Sequence, residues 1–201
     1  MKKKLSPRVL LVMIASLFLL PLLFAWLMYN GTIAYKPTVT RNFGTLVEPP
    51  LPLDWRDAAM VSGEDPAVID TVDYLSDHWV ILYPLPDLCT EYCLQKVTAL
   101  RQIHLAAGRQ QQRIRIALLV SVSRDPEGES RLRQAYAKFD LIQDTSGKIG
   151  KTLGEAAGGP DVVYLIDPLG NIMMTYEAGA DPNDLKRDLK RLLTWSKLDE
   201  Q

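Results

Sequence analysis

Between Val9 and Tyr29 the chain carries no charged side chain, and only Ser16 and Pro21 interrupt its apolar character. A run of roughly 20 such residues is enough to cross a hydrocarbon core of about 30 Å as a helix. Secretory signal peptides have a shorter apolar region and a small-x-small cleavage site. The nearest candidate here, Thr32 to Ala34, matches that pattern poorly, so residues 9–29 read as a retained transmembrane anchor. Lys2, Lys3, Lys4 and Arg8 precede the span, and the next lysine after it is Lys36. This bias predicts residues 1–8 in the cytoplasm and the rest of the chain across the membrane. Residues 30–53 show no apolar period and contain the run Glu48-Pro49-Pro50-Leu51-Pro52, which predicts an extended tether.

From residue 54 to 201 the two periods of secondary structure alternate. Up to Asp77 the pattern is irregular; Leu53 with Trp55, and Val68 with Ile69, read as a short hairpin, with Ser62 to Pro66 as a turn. A buried strand follows at Trp79 to Tyr83, then a helix from Thr90 to Ala107 ended by Gly108. The nearly unbroken apolar run Ile114 to Val122 is of the kind buried on both faces of a sheet. Asp125-Pro126-Glu127 caps a helix expected to run through Phe139, and Lys148 to Leu153 adds one or two helical turns. Val162 to Ile166 and Ile172 to Tyr176 flank the hairpin turn Asp167 to Asn171. The last helix has Asp181 as N-cap, Pro182 at its first position, and Leu185, Leu189, Leu192 and Leu193 on one face. Parallel strands joined by helices and closed by an antiparallel hairpin make an α/β sheet covered on both faces.

Charge and composition narrow the function. Net charge is −1, and basic residues after Arg41 are interspersed with acidic ones, so no stripe of one sign tracks a phosphate backbone and no nucleic-acid role is assigned. There is no glycine-rich phosphate loop, and two histidines with two cysteines are too few for the usual zinc or triad sites. The two cysteines, Cys89 and Cys93, stand four residues apart, directly after the first central strand and at the start of a helix. Chance would bring two thiols this close only on the order of a few per cent of the time. A helix N-terminus stabilises a thiolate, while Glu91 between the cysteines opposes it.

This order of elements, with a cysteine pair after the first strand, resembles the thioredoxin fold, here preceded by one transmembrane helix. Within that fold, the C-x-x-x-C spacing, the segment Val120 to Glu127, and Tyr164-Leu165-Ile166-Asp167 with Gly170 resemble the Sco (SenC-like) proteins. Those are membrane-anchored copper chaperones and thiol reductants that help assemble the copper site of cytochrome c oxidase. The resemblance implies a chain of the inner membrane, with its C-terminal domain in the periplasm. It further implies copper(I) held by Cys89 and Cys93, and a cytochrome c oxidase subunit or another assembly factor as partner. Thr90-Glu91-Tyr92 departs from the family's Pro-Asp-x, and Thr90 and Leu94 replace its prolines. The family's third ligand is a histidine five residues before the tyrosine, where this chain has Gly159.

Neither histidine substitutes for it. His104 lies eleven residues beyond Cys93 on the same helix, roughly 16 Å away, and His78 at the far end of the strand is about as distant. His104 is in line with Cys93, Val97 and Leu100 and is expected to end the buried stripe, while His78 is expected at a strand edge. Met173 and Met174 carry thioethers but point to opposite faces of a strand. In thioredoxin-fold enzymes a cis-proline faces the pair; that position falls at Asp161, one residue after Pro160, so Gly159, Pro160 and Asp161 are the expected substrate platform. Three functions stay open: a thiol-disulfide oxidoreductase or assembly factor with Cys89 as nucleophile and Cys93 as resolving thiol, a copper(I) carrier with an incomplete site, and a non-catalytic scaffold with a static disulfide.

Overall fold

The computed structural model describes residues 6–30, 41–61, 66–68, 71–120, 130–132, 134, 136, 138–157, 159 and 161–196. The chain forms two compact units, Met1–Arg41 and Asn42–Gln201. In the first, helix α1 (Pro7–Tyr29) is capped by Ser6, whose hydroxyl accepts the Val9 N–H, and Pro7 stands in the first turn where no N–H is needed. Its 23 residues extend about 34 Å at about 1.5 Å per residue. No residue of α1 is buried, and Pro21 lies inside it without ending it. The helix is long and apolar enough to cross a membrane and supports a single-pass anchor.

The second unit is built on one eight-stranded sheet. In chain order it comprises β1 (Thr45–Pro52), β2 (Ala58–Val61), β3 (Pro66–Val68), α2 (Thr71–Leu75), β4 (Trp79–Pro84), α3 (Glu91–Ala106), a 3-10 turn at Gly108–Arg113, β5 (Ile114–Val120), β6 (Phe139–Asp144), α4 (Lys148–Ala156), β7 (Val163–Ile166), β8 (Asn171–Tyr176) and α5 (Pro182–Trp195). Across the sheet the order is β1-β8-β7-β4-β5-β6-β2-β3. β4, β5 and β6 run parallel, and β7 returns antiparallel against β4. This is a mixed α/β thioredoxin-like sheet.

Alternation along β4 divides the core. Trp79, Ile81 and Tyr83 face one side with Cys93, Val97, Leu100 and Ile103 of α3 and Leu185, Leu189 and Leu193 of α5. Val80 and Leu82 face the other, with Trp55, Tyr74, Leu75 and, from α4, Ile149 and Leu153. A bulge sustains this division at the hairpin: Leu165 pairs with Met174 and Ile166 with Ile172, leaving Met173 unpaired, so Ile172 and Met174 serve opposite cores. The last helix starts as its signals predict, with Asp181 Oδ1 accepting the Asn183 N–H.

Three expectations are corrected. Residues 45–52, assigned above to the tether, form β1, the edge strand paired with β8. Prolines lack a donor, but an edge strand needs donors on one side only, and the register shifts between Leu46 and Leu51, where Pro49 and Pro50 lie. Its entry is fixed by the buried carboxylate Asp188, whose Oδ2 accepts the N–H groups of Phe43 (2.8 Å) and Gly44 (2.9 Å) and the Tyr176 hydroxyl (3.1 Å). A Cβ at Gly44 would come within 2.7 Å of the Tyr176 ring, which is why that close approach takes glycine. The second correction is at Phe139, which opens β6 and does not end a helix; Phe139 and Leu141 face one core and Ile142 the other. Residues 130–132 and 134 are helical, and the expected cap at residues 125–127 lies outside the described residues. The early hairpin pairs β2 with β3, so Val68 belongs to it, whereas Leu53 and Trp55 are buried in the core.

Candidate functional site

The chain leaves β4 at Pro84, passes the exposed stretch Pro86 to Leu88, and reaches Cys89 immediately before Thr90, the N-cap of α3. Cys93 is the third residue of the helix. The first helical bond at this end runs from Leu94 N–H to the Thr90 carbonyl at 3.0 Å, so the N–H groups of Glu91, Tyr92 and Cys93 have no intrahelical acceptor. Such an end carries positive partial charge and favours a thiolate.

Cys89 and Cys93 form a disulfide with a Cα separation of 5.2 Å, within the usual range. The two cysteines differ in exposure. Cys93 is 0% exposed in the core, whereas Cys89 is half-buried at its margin. Around the outer cysteine, Leu88 (71% exposed), Tyr92 (45%) and Leu94 (39%) present apolar surface to solvent.

Two polar contacts brace this turn. The Tyr92 hydroxyl donates to the Ala178 carbonyl at 2.6 Å, and Lys96 Nζ donates to the same oxygen at 2.7 Å, with the ammonium 5.6 Å from the Tyr92 ring centroid. The loop after β8 is thereby tied to Tyr92, the last of the three residues between the cysteines. Near the end of β4, the wholly buried Tyr83 donates its hydroxyl to Asp161 Oδ1 at 2.7 Å. Burial first, then the bond to Asp161 and its charge, push the Tyr83 phenol well above its ordinary value.

Of the expected substrate platform, Gly159 and Asp161 precede β7 and Pro160 lies outside the described residues. Asp161 holds φ 61°, a left-handed conformation uncommon for any residue but glycine. Its bond to Tyr83 was not legible in the sequence, although a tyrosine ending a fully buried strand signals that its hydroxyl needs a partner. His104 is 3% exposed and held by Tyr136, Gln111 and Ile114; His78 is half-buried at the start of β4 against the Ser76 carbonyl. Among the described residues no group of three or more His, Cys, Asp or Glu side chains is placed to hold a metal ion.

Comparison with known proteins accords with the fold. No curated protein sequence matches the chain. Apo Sco1 from Thermus thermophilus superposes with a TM-score of 0.56 at 16% identity, covering 78% of this chain and 99% of that one. A thiol:disulfide interchange protein from Bacteroides sp. gives 0.52 at 13% identity over 77% and 91% of the two chains. A thioredoxin-family thiol:disulfide interchange protein from Chlorobium tepidum TLS gives 0.53 at 11% identity over 72% and 97%. At these identities the likeness, to Sco1 included, is one of fold. Residues 79–196, more than half of the 201, match the family model described as transmembrane-like, thioredoxin-like, C-terminal domain, and the chain belongs to that family.

Proposed function

We propose that the protein is a membrane-anchored thiol-disulfide assembly factor of the inner membrane. Its thioredoxin-like domain exchanges the Cys89–Cys93 pair with client proteins in the periplasm, in the biogenesis of the cytochrome c oxidase copper site. The observation that carries the exchange reading is the inequality of the two cysteines: one half-buried before a helix N-terminus, and one wholly buried a turn later. The cytochrome c oxidase assignment rests on the sequence resemblance to Sco proteins.

In the reducing direction the Cys89 thiolate attacks a client disulfide. A Cys89–client bond forms, the client S–S bond breaks, and the released client thiolate takes a proton. Cys93 then gives up its proton and attacks Cys89 Sγ, closing the intramolecular disulfide and releasing the second client thiolate, which takes that proton. Two electrons pass to the client, and a dithiol donor of the same compartment resets the pair. Leu88, Tyr92 and Leu94 supply apolar surface for the client backbone around the outer sulfur.

The test uses the full chain in detergent micelles. With Cys93→Ser, a mixed disulfide through Cys89 is expected to accumulate on a periplasmic client, whereas Cys89→Ser traps none. The wild-type potential in glutathione buffers is expected between about −120 and −270 mV, the range of working oxidoreductases. A potential below about −300 mV with no trapped client would identify a static structural bridge. Stoichiometric copper(I) retained by the reduced chain against a competing chelator would put the carrier function first.

A further inference from the structure

The exchange chemistry above leaves one polar pair at the cysteine end of the sheet unused. Tyr83 and Cys93 belong to the same core, and the Tyr83 hydroxyl is 2.7 Å from Asp161 Oδ1. The β4–β7 ladder pairs Ile81 with Leu165 and Leu82 with Tyr164. Asp161 lies in the turn two residues before β7 opens at Val163. The Tyr83 phenol also feels the phenol of Tyr92, the residue directly before Cys93. Asp161 is therefore bonded to a side chain that packs in the same buried cluster as Cys93, on the strand that leads into the cysteine turn. Its left-handed backbone is one that aspartate and asparagine adopt more readily than other residues with a side chain.

We propose that Asp161 is a positioning residue that makes the Cys89–Cys93 pair a reductant, its carboxylate opposing thiolate formation and so favouring the disulfide over the dithiol. The inference rests on the exchange reading and adds its direction. A couple whose reduced form is stabilised as a thiolate is oxidising; one whose thiolate is disfavoured gives up electrons more readily. The α3 N-terminus works toward the thiolate and the nearby negative charge against it. Besides Asp161, the described acidic groups at this end are Asp87 before the pair, Glu91 within it, Glu177 after β8, and Asp181, which caps α5. The phenols are Tyr83 and Tyr92. The one cation in the first two turns of α3, Lys96, is bonded to the Ala178 carbonyl. The net reaction is protein dithiol plus client disulfide giving protein disulfide plus client dithiol, balanced in electrons and protons as written above.

Asp161→Asn isolates the charge, because asparagine tolerates the left-handed conformation and offers Tyr83 a carbonyl acceptor. In the full chain in micelles, the equilibrium with glutathione is expected to shift about tenfold toward the dithiol, or about 30 mV for this two-electron couple. The pH at which Cys89 reaches half its maximal alkylation rate is expected to fall. Tyr83→Phe keeps the charge and loses the bond; it is expected to lower thermal stability while moving the equilibrium far less. An Asp161→Asn chain whose equilibrium and alkylation profile match wild type overturns the proposal. So do shifts in the two variants that merely follow their loss of stability. A client trapped by Cys93→Ser alongside an unshifted Asp161→Asn sinks this inference alone. If no client is trapped, the exchange reading fails and the proposed direction fails with it.

Discussion

His104 has its two ring nitrogens in different company. Nε2 faces the carbonyl oxygens of Gln111 (3.1 Å) and Ile114 (3.2 Å), so it carries the proton, and Nδ1 accepts from the Tyr136 hydroxyl at 2.6 Å. A neutral imidazole thus satisfies every contact. Burial lowers the ring's pKa from its ordinary value, against the smaller opposing pull of the two carbonyls. Below about 6.5 the unfolded chain protonates this histidine while the folded chain does not, so the unfolded state binds more protons. Stability is therefore expected to fall as pH drops from about 6.5 toward the lower native value, by at most about 1.4 kcal/mol per pH unit. Urea unfolding of wild type and His104→Gln across this range checks it: the variant's curve should be flatter, and an equal slope would assign the pH sensitivity to another group. The same contacts explain why this histidine serves the core and stays away from the cysteines.

At the scale of elements, the β7–β8 connection shows how local chemistry sets register. Asp167 N–H donates to the Asn171 carbonyl at 3.0 Å, and Gly170 N–H to the Asp167 carbonyl at 2.9 Å. The Asp167 carboxylate also accepts the N–H groups of Leu169 and Asn171. Gly170 holds φ 86°, and a Cβ there would meet Leu75 Cδ1 at 3.0 Å. Gly170→Ala is expected to cost about 1–3 kcal/mol in urea unfolding, whereas Gly179→Ala, whose Cβ meets nothing within 4 Å, should cost much less. Turns and helices of this kind were legible because their signals are local: Asp181-Pro182 opens α5, and Gly108 follows the end of α3 with φ 58°. β1 and β6 were not. Pro49 and Pro50 read as tether until an edge position on β8 removes the need for their donors, and Phe139 reads as a helix end until β5 offers a parallel partner. At the site, the cysteines were legible from spacing, but the Tyr83–Asp161 bond joins residues 78 apart in sequence and left no local pattern to read.

For the molecule as a whole, the two units meet different solvents and should be separable. Among the described residues, the buried hydrophobics of the second unit, starting with Leu53, close two cores around one sheet. The α1 surface is apolar on every side and buries none of its residues, as a helix surrounded by lipid requires. A chain beginning at Asn42 keeps the Asp188 bonds to Phe43 and Gly44 that fix the start of β1, so it is expected to fold alone and retain the Cys89–Cys93 disulfide. After alkaline carbonate extraction of membranes, the full chain should remain in the pellet and the chain from Asn42 in the supernatant. A membrane-spanning helix is in effect irreversibly inserted, whereas an interfacial or electrostatic attachment is released by such treatment. Full-length protein in the supernatant would show that α1 does not span the bilayer. A shortened chain that fails to unfold cooperatively in urea would show that the domain depends on residues before Asn42.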